Sequence, residues 1–198
     1  IRINGKDLKA RVIGEGANLG VTQLGRIEFA KQGGRLNTDF IDNSGGVDSS
    51  DHEVNIKILL SEVMNTPSYK MDIKSRNTLL EAMTDDIADH VLRNNYQQAQ
   101  AMNLEEIQAD ANIQLHSDLM IELEKEKILN RAIEFLPDQE EIENRTRRGF
   151  GLTRPELAVL MCYSKIVFTN ELIHSEVPDI PEMQYLAETY FPKVLQDK

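Results

Sequence analysis

The stretch ARVIGEGANLG at residues 10–20 joins a short β-forming run to a seven-residue loop that holds three glycines. A second, weaker strand candidate at residues 38–41 leads into the loop DNSGGVDSS at residues 42–50. Between the two strand candidates, residues 23–30 have helical apolar spacing after Thr22, a residue type that caps helices. Strand, helix and strand in this order build parallel strands, so the segment predicts part of an α/β unit.

After the first fifty-odd residues the apolar spacing becomes helical. Thr153, followed three residues later by Glu156, resembles a capping box, and residues 157–168 are apolar nearly all round, which predicts a central helix. The sequence therefore predicts a mixed fold with two parts. A partial α/β segment at residues 1–55 precedes a mostly α-helical C-terminal domain at residues 56–198.

The composition is that of an ordinary globular protein, with 40% hydrophobic and 28% charged residues among 198. A net charge of −11 repels phosphate, so we expect neither nucleic acid nor membrane as a partner. The single cysteine, Cys162, excludes an intramolecular disulfide and fits a reducing cytoplasm. No apolar run is long enough to span a bilayer, and a first residue other than Met predicts an excerpt of a longer chain.

The two Gly-rich loops have two interpretations. Loops at the carboxyl ends of parallel strands bind ligands, which favours a ligand site, but Gly, Asn and Ser also dominate ordinary turns. The spacing G-x-G-x-x-x-G differs from the dinucleotide fingerprint by one residue. His52 has Ile56 where a zinc helix would place its second ligand, and the other histidines are isolated, so we predict no metal site.

Four blocks together resemble one enzyme family: VIGEGANLGVT at residues 12–22, DNSGGVDSSDHEVN at 42–55, NRAIEFLP at 130–137 and GLTRPELAVL at 151–160. They are similar to the glutamate dehydrogenase superfamily, and most similar to its large bacterial NAD-specific type. The resemblance implies oxidative deamination of L-glutamate to 2-oxoglutarate and ammonia, with NAD as the cofactor.

In that family a Rossmann-type domain carries NAD, so residues 1–55 are expected to be the end of that domain. The catalytic lysine and the acid-base aspartate of the family lie upstream, so no catalytic residue is assigned here. The resemblance thus implies that the 198 residues alone are inactive. For the full-length enzyme we expect glutamate as substrate, a homo-oligomer and a cytoplasmic location.

The resemblance also assigns site residues. The cofactor-binding positions, three beside the nicotinamide ribose and the last near its carboxamide, are Gly16, Ala17, Asn18 and Asn43. The positions that line the substrate carboxylate pocket are Val47 and Ser50. The chemistry agrees, because an Asn amide both donates to and accepts from a carboxamide, and a Ser hydroxyl binds a carboxylate.

Two other functions remain open. The long helical stretch is also typical of a noncatalytic interaction or assembly module, whose truncation would disturb assembly but not turnover. The same blocks are compatible with a different NAD-dependent amino acid dehydrogenase that acts on apolar side chains, which an upstream substrate pocket would decide.

Overall fold

The computed structural model describes residues 2–16, 18–69 and 71–196. The α-helices are α1 Gln23–Lys31, α2 Asp39–Asp42, α3 Ser44–Asn65, α4 Ile73–Ala82, α5 Thr84–Gln108, α6 Ile113–Lys125, α7 Arg131–Glu134, α8 Gln139–Arg148, α9 Arg154–Ile173, α10 Gln184–Tyr190 and α11 Lys193–Gln196. Short 3-10 helices lie at Gly5–Asp7, Val177–Asp179 and Pro181–Met183. None of the helices in these ranges is long and apolar enough to cross a membrane.

The prediction of a partial α/β Rossmann-type segment is wrong, because the fold is mostly helical. Strand β1 spans only Val12–Ile13 and strand β2 only Arg35–Leu36, and the two pair in parallel. A Rossmann layer needs several neighbouring strands with helices on both faces. Two residues per strand, with no further strand in the described ranges, do not form such a layer.

The second strand candidate is also wrong, since residues 38–41 turn into helix α2. Thr38 is extended, and its carbonyl accepts from the amides of Ile41 at 3.2 Å and Asp42 at 3.0 Å. Helix α1, in contrast, confirms the local prediction: the Thr22 side chain accepts from the Gly25 amide and caps its first turn.

One packing unit consists of residues 1–43 and 97–170. Its core gathers side chains of α5, α6, α8 and α9, with Met102, Met120 and Ala158 fully buried. The helix predicted for residues 157–168 exists as part of α9, but of these residues only 157–160 are buried. Ile166 is 47% exposed and Phe168 61%, so burial of the helix on all sides is not found.

The Thr153–Glu156 pair confirms part of the predicted capping box. The Glu156 carboxylate accepts from the Thr153 amide at 2.6 Å and from its hydroxyl at 2.7 Å. It also accepts two hydrogen bonds from the Arg145 guanidinium, at 2.8 and 2.9 Å. The Glu156 and Arg145 side chains are both buried. Glu156 therefore caps its own helix and also forms an ion pair with a distant residue.

The other packing unit consists of residues 44–96 and 171–198. Its core is smaller and lies where helices α3 and α4 meet Met83, with Phe191 of the C-terminal region packed against it. The predicted boundary after residue 55 concerns domains of the longer protein, and it stays a prediction.

Candidate functional site

A buried ion-pair network holds the first Gly-rich loop. The guanidinium of Arg26, in α1, donates to both carboxylate oxygens of Glu15, at 2.6 and 2.7 Å. The same guanidinium donates to Asp39 Oδ1 at 2.9 Å. Arg26 and Glu15 are each only 4% exposed. Removing either partner of a pair this deeply buried would leave an uncompensated charge in the protein interior.

The carboxylates of this network also bind backbone amides of the loop. Asp39 accepts from the Leu19 amide at 2.8 Å, and Glu15 accepts from the Val21 amide at 3.0 Å. Leu19 has a φ of 57°, in the left-handed region that most side chains avoid. The loop therefore keeps a strained conformation because buried charges accept its amide hydrogens.

The same contacts determine the protonation states of Arg26 and Asp39. Burial by itself would lower the pKa of Arg26, but the hydrogen bonds and charges of Glu15 and Asp39 raise it above its ordinary value. Burial would likewise raise the pKa of Asp39, but the Leu19 amide and the Arg26 charge outweigh it and lower that pKa. Asp39 is thus an ionised structural group, engaged within the protein.

Two of the predicted cofactor residues touch each other. The side-chain amide of Asn43, just after α2, donates to Asn18 Oδ1 at 3.1 Å. Asn18 and Gly16 are exposed and Asn43 is half-buried, so the amide pair is accessible from outside. Ala17 lies outside the described residues. Residues 25 positions apart in sequence are thereby brought together at one surface.

The exposed amide pair fits a carboxamide ligand. A carboxamide carries one donor group and one acceptor oxygen, and the two asparagine side chains together carry both. A Cβ atom added at Gly16 would meet nothing within 4 Å, so the backbone beside the pair is open to close approach. The nearby carboxylates of Glu15 and Asp39 are both bound by the single Arg26 guanidinium.

The predicted substrate residues lie on a helix, which corrects the prediction of a second loop at residues 42–50. Helix α3 begins at Ser44, and Val47 and Ser50 lie exposed in its first two turns. The Ser50 hydroxyl donates to the Gly46 carbonyl at 3.1 Å. A carboxylate ligand would offer this hydroxyl an alternative acceptor to the Gly46 carbonyl.

Contacts from α5 explain why this Gly- and Ser-rich stretch is helical. Asn95 donates to the Ser44 hydroxyl oxygen at 2.8 Å, and Asn94 donates to Asp48 Oδ2 at 2.8 Å. A Cβ atom on Gly45 would stand 3.4 Å from a methyl group of Val91, so glycine allows the two helices to approach closely. The preference of Gly, Asn and Ser for turns is a local property, so it does not take account of such distant partners.

The other reactive side chains show no second site among the described residues. No group of three His, Cys, Asp or Glu residues could hold a metal ion there. Burial raises the pKa of Cys162, which is the opposite of an activated thiol. His116 is buried and its Nε2 lies 3.5 Å from a Glu105 oxygen.

Arg26 is absent from the site residues that the sequence predicts. The signal was present, because Arg26 lies three and four residues before Phe29 and Ala30, on the face of α1 that carries apolar side chains. A charged residue on a buried helix face needs a buried partner. Neither Glu15 nor Asp39 is identified as that partner by local spacing.

Comparison with known proteins gives two family matches. The model for the catalytic domain of bacterial NAD-glutamate dehydrogenase matches residues 1–105. The model for the C-terminal region of glutamate dehydrogenase matches residues 149–198. Residues of both packing units fall within each of the two matches.

Three curated relatives align with the whole chain. Each is named NAD-specific glutamate dehydrogenase: that of Pseudomonas aeruginosa is 51% identical, that of Halomonas elongata 47% and that of Mycobacterium tuberculosis 43%. Each alignment covers all 198 residues of this chain but only 12% of the length of the relative.

Proposed function

The chain belongs to the family of bacterial NAD-glutamate dehydrogenases, and from that premise we propose that it is part of an oxidoreductase that deaminates L-glutamate. The reaction converts L-glutamate, NAD⁺ and water into 2-oxoglutarate, ammonium, NADH and a proton. The observation that carries the proposal is the hydrogen bond between Asn43 and Asn18, because it joins two of the four family blocks, those at residues 12–22 and 42–55, at an accessible surface.

The asparagine pair would hold the nicotinamide end of NAD. When bound, NAD supplies the hydride acceptor of the reaction. Asn43 would orient the carboxamide, and Asn18, with Gly16 and Ala17, would lie beside the nicotinamide ribose. The Arg26 network supports this role because it fixes the loop that presents Asn18, and a fixed loop loses little entropy when the ligand binds.

Ser50 and Val47 would contact the substrate. The Ser50 hydroxyl would donate to a carboxylate oxygen of glutamate in exchange for the Gly46 carbonyl, and Val47, 72% exposed, would offer an apolar contact. Neither side chain carries a proton-transfer group suited to the chemical step. We therefore place the chemistry in residues outside this chain and expect the 198 residues alone to be inactive.

The full-length protein would act in the cytoplasm, as a homo-oligomer, without nucleic acid or membrane as a partner. The net charge of −11 supports the last two points. Cys162 is partly buried and forms no disulfide, which supports a location in a reducing compartment.

Replacing Asn43 with alanine in the full-length enzyme should lower kcat by about tenfold or more, with a smaller change in the KM for glutamate. A misplaced reacting carbon costs more in rate than in binding. Steady-state kinetics of Asn43→Ala, Asn18→Ala and the double variant measure this. Since the two amides are hydrogen-bonded, the double variant should lose less than the two single losses combined, and full additivity would contradict a shared role.

Replacing Ser50 with alanine should raise the KM for glutamate about tenfold and leave kcat unchanged, because a hydrogen bond to a charged group contributes about 1.5 kcal/mol. Ser49→Ala is the matched control, since the Ser49 hydroxyl donates to the Gly45 carbonyl in the same manner, at 2.7 Å. Equal KM values for the two variants would remove Ser50 from the substrate site.

A further inference from the structure

The C-terminal region places Tyr190, at the end of α10, against helix α3. The Tyr190 hydroxyl donates to Asp51 Oδ2 at 2.6 Å and accepts from the Asn55 amide at 3.0 Å. Its ring stacks on His52, with centroids 4.6 Å apart and planes tilted by 19°. One tyrosine thus binds three residues within a turn and a half of α3, next to Ser50.

The segment around Tyr190 is itself anchored. Phe191 lies edge-on to the Tyr190 ring, 5.1 Å away, and packs against the second hydrophobic core. The Lys193 amide donates to Asp86 Oδ2 at 2.6 Å. His52, beneath the tyrosine ring, is 2% exposed. The contact with α3 is therefore a fixed part of this unit.

The ionisation of Tyr190 agrees with a donating hydroxyl. Burial, and then the Asp51 carboxylate, raise the pKa of Tyr190 to about 12. The hydroxyl therefore keeps its proton at neutral pH and donates it to Asp51. A tyrosinate would instead repel that carboxylate.

The residues that Tyr190 holds share one face of α3, and the predicted substrate residues share the neighbouring face. Asn55 lies three and four residues after His52 and Asp51. Val47 and Ser50 are three residues apart, and Val54 follows Ser50 by four residues on the same face. Val47 and Val54 are 72% and 54% exposed, and Ser50 is exposed between them. A force that turns or shifts the Tyr190 face moves the Ser50 face with it, because a helix is rigid over two turns.

We infer that Tyr190 is a positioning residue for substrate binding: through Asp51, Asn55 and His52 it sets where α3 presents Ser50 to the carboxylate of glutamate. The inference rests on the proposed function, since it takes Ser50 as the residue that contacts that carboxylate. It gives the C-terminal region a role in the substrate site.

The test is steady-state kinetics of Tyr190→Phe in the full-length enzyme. This variant keeps the stacked ring and removes only the hydroxyl. We expect the KM for glutamate to rise about threefold to tenfold, with the KM for NAD and kcat unchanged, because only binding through Ser50 is loosened. Asp51→Asn, which retains an acceptor oxygen, should show a smaller rise. Tyr185→Phe, a 59% exposed tyrosine of the same helix, should show none.

Each outcome decides between the hypotheses. A raised KM for glutamate in Ser50→Ala together with an unchanged KM in Tyr190→Phe would overturn the inference and leave the proposed function standing. An unchanged KM in Ser50→Ala would instead defeat the proposed role of Ser50 itself. If Tyr190→Phe lowered the melting temperature and altered all kinetic constants alike, its role would be general stability, and the inference would be wrong.

Discussion

Replacing Arg26 with methionine should lower the free energy of unfolding of the unit that carries it by about 3–5 kcal/mol. Methionine fills a similar volume but leaves the carboxylates of Glu15 and Asp39 buried beside each other without a cation. Urea unfolding followed by circular dichroism measures the loss. Arg35→Met is the control, because Arg35 is exposed in β2 and its replacement should change stability by less than about 0.5 kcal/mol.

The same variant should respond to pH in a defined direction. In the wild type the pKa of Asp39 is lowered below its ordinary value of 3.8, so its ionised form stabilises the fold above that pH and this contribution is lost as the pH falls through the lowered pKa. In Arg26→Met the Asp39 carboxylate, which loses the Arg26 charge, takes up a proton more readily. The stability difference between wild type and variant should therefore shrink from pH 7 toward pH 3, and a constant difference would contradict the ion pairing.

The conformation of the first Gly-rich loop provides a second test of the role of Arg26. The amides of Leu19 and Val21 donate to the carboxylates that Arg26 holds. Hydrogen exchange at these two amides should speed up in Arg26→Met, even under conditions where the chain remains folded. Unchanged protection would show that the loop holds its conformation without the guanidinium.

Replacing Glu156 with alanine should cost about 3–5 kcal/mol of stability. It leaves Arg145, which is 7% exposed, with the half-exposed Glu141 as its one remaining charged partner among the described residues. It also removes the acceptor for the Thr153 amide and hydroxyl. Urea unfolding again measures the loss.

Two further variants separate the parts of the Glu156 effect. Glu156→Gln keeps an acceptor for Thr153 but removes the charge, so it should lose less than Glu156→Ala. Glu143→Ala, at an exposed position of α8, is the matched control and should be close to neutral. Equal stability of Glu156→Ala and Glu143→Ala would mean that the Arg145 pair contributes nothing.

The site could be predicted from sequence only in part. The resemblance named Asn18 and Asn43 separately, and their hydrogen bond came from the structure. It also named Val47 and Ser50, but the Gly- and Ser-rich stretch, whose composition predicts a loop, is the start of α3. Residue composition describes turns well, yet Asn94 and Asn95 stabilise this helix from about fifty positions away.

The sequence alone determined what acts within a few residues along the chain. The Thr22 cap of α1, the Thr153–Glu156 contact and the helical character beyond residue 55 all depend on hydrogen bonds and periodicity over three or four positions. The family resemblance is of the same kind, because it rests on contiguous blocks.

Only the tertiary structure decided which distant polar and charged groups pair with one another. Arg26 lies between Glu15 and Asp39, Arg145 faces Glu156, and Tyr190 reaches Asp51 across 139 positions. A charged group that is removed from water needs a nearby group that pairs with it. The sequence does not show which distant residue supplies that group. That choice depends on how the helices pack.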